Sequence, residues 1–418
     1  MQAVEETYQT QMQTQYQTGM LPNGLRIAFW SRPGMVSYIG IAINAGSRDE
    51  NMDHQGLAHF VEHTIFKGTD KRRDWQISSR MESVGGELNA YTSKEETMIY
   101  TSAPSGYEER AIELLADLVS SSRFPKEEIE REKAVVTEEI LSYLDSPSES
   151  VFDEFEELAY EGSDLAHNIL GTPESVKLIE GSDCRKFLDS FYTPDNMVIY
   201  LCSPLEIEKA KKIIEKYFGV LHFEPTLHKR VCPPAMKPFD ETRDKGNFQA
   251  NTITGIRTFG RKDPRRFALF LLNNYLGGPG MNSRLYREMR EKRGYVYTVD
   301  SNVSLMTDTG LWSVYFGSDK KHVGKCRKMI ENEIDRLQQH PLPERTLEKI
   351  KRQYCGQLML SSDHIENRAM SLAKSLMYFG EIIDLTVSAK RIMNVTAEEL
   401  MEVARLLDYR NFGTLTLY

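Results

Sequence analysis

The sequence has few cysteines, and they follow no recognisable pattern. The five are widely spread and include no C-x-x-C pair: Cys184, Cys202, Cys232, Cys326 and Cys355. An odd number without paired spacing indicates neither a disulfide framework nor a cysteine metal site. We therefore expect reduced thiols that pack as small hydrophobic side chains.

Long apolar runs and an excess of basic residues are also missing. No stretch approaches the roughly 20 apolar residues that a membrane-spanning helix requires. The net charge is -9, which argues against a phosphate-binding surface and hence against nucleic acid as a partner. The N-terminal segment MQAVEETYQTQMQTQYQTGM has neither the basic start nor the apolar run of a signal peptide. These absences predict a cytoplasmic protein that binds neither membrane nor nucleic acid.

The length of the chain predicts two domains. At 418 residues it exceeds what one ordinary hydrophobic core supports. Periodicity weakens around PTLHKRVCPPAMKP, a proline-bearing stretch typical of a linker. We predict an N-terminal domain over residues 1–218, a linker over 219–245 and a C-terminal domain over 246–418.

The two halves share one local layout. In each, a strand is followed by two helical stretches and a second strand. MESVGGELNAYTS in the first half has a counterpart in MREKRGYVYTVDS, roughly 210 residues later. The predicted fold class is α+β: two homologous domains, each an antiparallel-rich sheet flanked by helices, related as an internal repeat.

The segment His59-Phe60-Val61-Glu62-His63 carries the clearest chemical pattern. Apolar residues at helical spacing around it predict a helix, on which His59 and His63 lie one turn apart on one face. Two imidazoles at this spacing can hold one metal ion, and Glu62 lies close enough to act as a general base. The pattern H-x-x-E-H is the inverted zincin motif, so zinc is the expected metal.

A catalytic zinc site needs one further protein ligand, and the helix predicted from Pro125 to about Ser146 offers carboxylates. Glu132 and Glu139 are two turns apart on one face of that helix, whereas Glu138 points about 100° away. We predict Glu139 as the third ligand and Glu132 as a residue that supports the ligands.

Two stretches, GLAHFVEHTIFKGT and EREKAVVTEEI, carry a resemblance to a known family. The chain resembles the pitrilysin-type inverzincin peptidases, in particular the short-chain branch that includes mitochondrial processing peptidase subunits and their bacterial relatives. The resemblance covers most of the chain. It implies one zinc ion per chain, with Glu139 as third ligand and Glu132 as its acidic partner.

Further stretches extend the resemblance. GGELNAYTSKEET is similar to the family's edge strand, to which substrate adds as a β-strand, and this implies that Asn89, Ala90 and Tyr91 line the cleft. SRLYREMREKRGYVYTV resembles the segment whose arginine and tyrosine polarise the scissile carbonyl, here Arg290 and Tyr297. The resemblance also implies a homodimer that encloses a chamber for peptide substrates.

The predicted function is therefore that of a zinc-dependent endopeptidase acting on peptides or unstructured polypeptides. The alternative is a non-catalytic assembly or core subunit of the same fold, although such subunits have typically lost the metal residues. Two further histidines are possible ligands by residue type, but His54 is predicted to face away from the site and His167 to have a packing or hydrogen-bonding role.

Overall fold

The computed structural model describes residues 16–221 and 224–418. Most of the Gln/Thr-rich N-terminal segment and residues 222–223 of the predicted linker lie outside the described residues. The strands are β1 (Tyr16–Met20), β2 (Arg26–Ser31), β3 (Val36–Ile43), β4 (Glu87–Thr92), β5 (Thr97–Pro104), β6 (Met197–Ser203), β7 (Phe239–Arg243), β8 (Gln249–Phe259), β9 (Val296–Leu305), β10 (Thr309–Asp319) and β11 (Gly413–Leu417).

The chain also forms fourteen α-helices within these described ranges. They are α1 (Leu57–Thr64), α2 (Asp74–Glu82), α3 (Glu108–Ser121), α4 (Lys126–Leu144), α5 (Pro147–Ala159), α6 (Pro173–Leu178), α7 (Gly181–Phe191), α8 (Ile207–Phe218), α9 (Arg266–Gly277), α10 (Val323–Gln339), α11 (Glu344–Ser361), α12 (Ile365–Phe379), α13 (Leu385–Met393) and α14 (Ala397–Leu406). A short π-helix spans Tyr286–Glu291.

The two sheets repeat one arrangement. The first has the order β1-β2-β6-β3-β5-β4 and the second the order β7-β11-β8-β10-β9. In the first, β2 and β6 are parallel and all other neighbours are antiparallel. In the second, β7 and β11 are parallel and the rest antiparallel, so five strands match in order and direction. The predicted α+β class with an internal repeat of antiparallel-rich sheets is confirmed.

Each sheet is covered on one face by several helices and on the other face by one helix. The single helix on the first sheet is α12, whose Ala369, Met370 and Ala373 pack against Trp30 and Met98. The single helix on the second sheet is α5, which comes from the first half of the sequence. Strands β6 and β11 are buried throughout, and a strand buried on both faces needs cover on both.

Two helices are therefore exchanged between the halves of the sequence. The first compact unit contains the described residues up to Ile140, together with residues 167–230 and 362–384. The second contains residues 141–166, 231–361 and 385–418. The predicted division into 1–218 and 246–418 follows the chain linearly and does not include these exchanges, although the predicted linker 219–245 contains the passage from Arg230 to Val231.

No helix in the described ranges is both long and apolar enough to cross a membrane. All five cysteines are free, as predicted. Cys232 is exposed and the other four are buried.

Candidate metal centre

Helix α1 presents two imidazoles to a carboxylate on helix α4. Leu57, Phe60 and Val61 bury one side of α1 in the core of the first unit, which fixes the direction of the remaining side chains. His63 Nε2 lies 3.4 Å from one oxygen of Glu139, and His59 Nε2 lies 3.9 Å from the other. One possible ligand atom from each of the three residues lies within 4.8 Å of the others, the one such group among the described residues.

The three side chains fit a zinc ion. Two imidazoles and a carboxylate are a donor set of catalytic zinc sites. Ligand atoms about 2.1 Å from a tetrahedral zinc are about 3.4 Å apart, close to the observed separations. Burial, and then the neighbouring His63, lower the pKa of His59 to about 3. Its imidazole is therefore neutral at ordinary pH, which is the form that binds metal.

Glu132, one of the two carboxylates predicted on α4, contacts the ring of His63. His63 Nδ1 donates to Glu132 Oε2 across 3.2 Å, and Lys67 Nζ forms an ion pair with Glu132 Oε1. Glu132 is buried, and its Oε1 is already paired with the Lys67 ammonium. A carboxylate in such an ion pair only accepts, which places the proton on Nδ1 and leaves Nε2 for a metal. The sequence prediction missed Lys67, although its position four residues after His63 was a signal.

Glu62 lies beside the histidines and is fixed by a residue that the sequence prediction missed. Thr92, the last residue of β4, donates from Oγ1 to Glu62 Oε2 across 2.6 Å. Burial raises the pKa of the Glu62 carboxyl, and Glu139 adds to this rise, whereas Thr92 and His63 oppose it. A carboxylate whose pKa is raised toward neutrality is a better proton acceptor for catalysis.

Strand β4 forms the edge of the first sheet and packs against α1. It pairs only with β5 among the described strands, so its other side offers backbone groups to an added strand. Its side chains alternate between faces: Ala90 packs on the core beneath α1, whereas Tyr91 packs on the α12 side and donates to Glu96. Asn89 shares the face of Tyr91 and is exposed.

Strands β4 and β5 form a hairpin, and Glu96, in the turn between them, contacts α12. Tyr378 Oη donates to Glu96 Oε2 across 2.6 Å, and Lys374 forms an ion pair with Glu96 Oε1. Lys374 also lies 5.1 Å from the centre of the Tyr91 ring. Edge strand β4 is therefore held from both faces of the sheet.

Arg290 and Tyr297 belong to the second unit and lie on either side of a turn at Gly294. Arg290 is exposed at the end of the π-helix and stacks 5.2 Å from the centre of the Tyr286 ring. Tyr297, near the start of β9, is 63% exposed. Both polar groups are accessible, and their predicted roles stay predictions.

The two remaining histidines do not join the metal group. His54 lies 3.7 Å from Asp183, and His167 Nε2 lies 3.0 Å from Glu50. The corresponding helix of the second unit, α9, has the sequence RFALFLLNNYLG and carries no histidine or carboxylate. Within the described residues, the repeat therefore preserves the framework without a second group of possible metal ligands.

Comparisons with known proteins agree with this architecture. Residues 26–173 match the insulinase family, peptidase family M16, and residues 179–354 match the peptidase M16 inactive domain. The uncharacterized zinc protease YmxG of Bacillus subtilis is 32% identical over 386 residues, covering 92% of this chain and 94% of that protein. An uncharacterized zinc protease of Streptomyces coelicolor is 32% identical over 395 residues, covering 92% and 85%.

Solved structures share the fold over nearly the whole chain. A protease from Helicobacter pylori superposes with a TM-score of 0.90 at 21% identity, covering 96% of this chain and 99% of that one. A peptidase M16 inactive domain from Pseudomonas fluorescens gives a TM-score of 0.89 at 21% identity, covering 96% and 98%. These structures show the shared fold. The family-model matches and the relatives at 32% identity show that this chain belongs to the insulinase family of peptidases, peptidase family M16.

Proposed function

We propose that this protein is a zinc-dependent endopeptidase that cleaves peptides or unstructured polypeptides. The observation that carries the proposal is the convergence of His59, His63 and Glu139 beside the carboxylate of Glu62. The names of the Bacillus and Streptomyces relatives, both zinc proteases, support zinc as the metal. We propose one zinc ion per chain.

Zinc held by these ligands would supply Lewis-acid chemistry, since it lowers the pKa of water and polarises a carbonyl. Glu62 takes a proton from the attacking water and returns it to the leaving amine. Thr92 occupies one lone pair of Glu62 Oε2, which leaves Oε1 as the less engaged oxygen for accepting the proton. Glu132, with Lys67, keeps the Nε2 of His63 directed at the metal position.

The substrate is proposed to bind as a strand on the free edge of β4. Backbone pairing with β4 requires an extended, unfolded segment, which favours flexible peptides over folded proteins. The backbone of Asn89, Ala90 and Tyr91 would supply this pairing.

Arg290 and Tyr297 are proposed to donate hydrogen bonds to the developing oxyanion. Loss of one such donor typically costs about 10²- to 10³-fold in turnover. A homodimer, an enclosed chamber and a cytoplasmic location also stay proposals, which rest on the family resemblance and on the sequence composition.

The test compares two neighbouring glutamates on α4. Wild type should contain one equivalent of zinc and cleave an unstructured peptide, and Glu139→Gln should lose most of both. Glu138→Gln is the matched control, because Glu138 is exposed and lies outside the metal group, so it should keep zinc and activity. A wild-type protein without zinc or cleavage would favour the alternative, a non-catalytic assembly subunit of the same fold.

A further inference from the structure

The first turn of helix α1 is capped by the buried carboxylate of Glu50, which precedes the helix in the chain. The N-cap residue of α1 is Gly56, which has no side chain to cap the helix. Glu50 supplies the cap instead, because Oε2 accepts from Gly56 N at 2.8 Å and Oε1 accepts from Ala58 N at 2.7 Å. Both oxygens thus hold the first turn of the helix, and Ala58 immediately precedes His59. A carboxylate at this end is also favoured by the helix dipole.

His167 fixes the position of Glu50. Its Nε2 forms a 3.0 Å hydrogen bond with Glu50 Oε2, and the side chains of His167 and Glu50 are only 3% and 0% exposed, respectively. The backbone carbonyl of His167 accepts from Lys94 Nζ at 2.5 Å. The carboxylate that caps α1 therefore has a buried hydrogen-bond partner, and the backbone of that partner is held by Lys94.

The loop that precedes α1 and the loop that follows His167 are in close backbone contact. Gly56 has φ +90°, and a Cβ there would lie 2.5 Å from the carbonyl oxygen of Leu170. Gly171 has φ +72°, and a Cβ there would lie 2.3 Å from the carbonyl oxygen of Gln55. Neither loop could accept a side chain at these positions without moving, so the start of α1 has little freedom.

The loop that carries Glu50 also holds the hairpin of β4 and β5. Arg48 Nη1 donates to Glu95 Oε1 at 2.6 Å, and both side chains are 1% exposed. The backbone N–H groups of Ser47 and Arg48 donate to the carbonyls of Ser93 and Lys94 at 3.1 and 2.8 Å. One loop therefore fixes both the helix that carries His59 and His63 and the hairpin whose first strand ends at Thr92.

We infer that Glu50 and His167 are positioning residues, which set the placement of His59, Glu62 and His63 relative to strand β4. This inference rests on the proposed function. Helix α1 has only eight residues, so a shift of its first turn moves both histidines. If Glu50 loses an acceptor oxygen, a buried N–H group of the first turn is left without a partner, and the helix can relieve this only by moving.

The central variant is Glu50→Gln, in which one acceptor oxygen becomes an NH₂ group that cannot accept from a backbone N–H. We expect zinc affinity and kcat to fall about 10- to 100-fold, the usual effect of losing support around metal ligands. KM should change much less than kcat. In the cobalt-substituted protein, the d–d absorption bands should shift, because they report the arrangement of the ligands.

Glu108→Gln is the matched control. Glu108 is also a buried carboxylate at the start of a helix, where it accepts from Ser37 Oγ and Gly106 N. The same substitution there should lower the thermal unfolding midpoint of the metal-free protein. It should leave the cobalt spectrum, zinc affinity and kcat at wild-type values.

A second pair of variants covers the case in which Glu50→Gln fails to fold. His167→Ala removes the buried hydrogen-bond partner of Glu50 and should reproduce the spectral shift and the loss of kcat. His167→Gln places an amide N–H close to the position of Nε2 and should restore both. Wild-type spectra and kcat in Glu50→Gln and His167→Ala, whatever their thermal stability, would overturn the inference. A wild-type protein that binds neither cobalt nor zinc would instead refute the proposed function, and this inference with it.

Discussion

The hydroxyl of Thr92 donates a 2.6 Å hydrogen bond to the Oε2 of Glu62. The two residues are 30 positions apart and belong to different elements, the end of edge strand β4 and helix α1. The bond joins the strand proposed to bind substrate to the carboxylate proposed to move protons. This contact therefore couples the proposed position of the substrate to the position of the base.

Thr92→Val should lower kcat/KM by about 10- to 100-fold, because a hydrogen bond to a charged group contributes about 1.5–3 kcal/mol. Valine has the shape of threonine, so the strand should be preserved. Thr92→Ser keeps the hydroxyl and should retain most activity. Peptide cleavage assays on both variants, at equal zinc content, make the measurement. Equal activity of Thr92→Val and wild type would show that the bond has no part in catalysis.

Glu62→Gln should separate metal binding from chemistry. The three predicted ligands are unchanged and the amide oxygen can still accept from Thr92, so we expect one equivalent of zinc. Turnover should fall about 10²- to 10⁴-fold, the usual contribution of a general base. His63→Ala should lose the metal itself. Full activity in Glu62→Gln, or one equivalent of zinc in His63→Ala, would contradict these assignments.

Lys67→Met and Glu132→Gln should each weaken zinc binding by about 10- to 100-fold. The first removes the ion pair that positions Glu132, and the second weakens the hydrogen bond that orients the ring of His63. Competition with a chromophoric chelator gives the affinity. Lys133→Met is the control, since Lys133 pairs with the exposed Glu130 and not with Glu132. Equal zinc affinity in all three variants would remove Lys67 from the site.

The metal-free protein should lose stability in acid through His59. The pKa of His59 is lowered from 6.5 to about 3 by burial, so between these values the unfolded chain binds a proton that the folded chain does not. The free energy of unfolding therefore falls as pH falls from 6.5 toward 3, by at most about 1.4 kcal/mol per pH unit from this group. Urea unfolding of metal-free wild type and His59→Asn at several pH values tests this. The variant should show the shallower dependence, and parallel curves would be evidence against it.

The sequence predicted those relationships in the site that follow from residue spacing within a single helix. His59, Glu62 and His63 share a face because of helical periodicity, and the same rule selects Glu132 and Glu139 over Glu138. The structure brings the three predicted ligand groups within reach of one ion. The repeat was also visible, since similar residues recur at corresponding strands of both sheets.

The contacts that hold the site depend on residues far apart in the chain. Glu50 and His167 are 117 positions apart, and no local pattern links a loop carboxylate to a histidine in another loop. Lys67 lies only four residues after His63, yet its role becomes clear only when α4 places Glu132 in contact with both. Thr92 acquires its partner only when the edge strand packs on α1.

The exchange of α5 and α12 was also not predictable from local sequence. An amphipathic pattern shows that a helix has an apolar face, but it does not show which sheet that face will cover. The sequence by itself determined the chemistry offered by each helix and the α+β repeat, because both follow from local periodicity. Only the tertiary structure decided which sheet each exchanged helix covers and which buried side chains hold helix α1 in place. Both depend on packing between segments that are distant in the sequence.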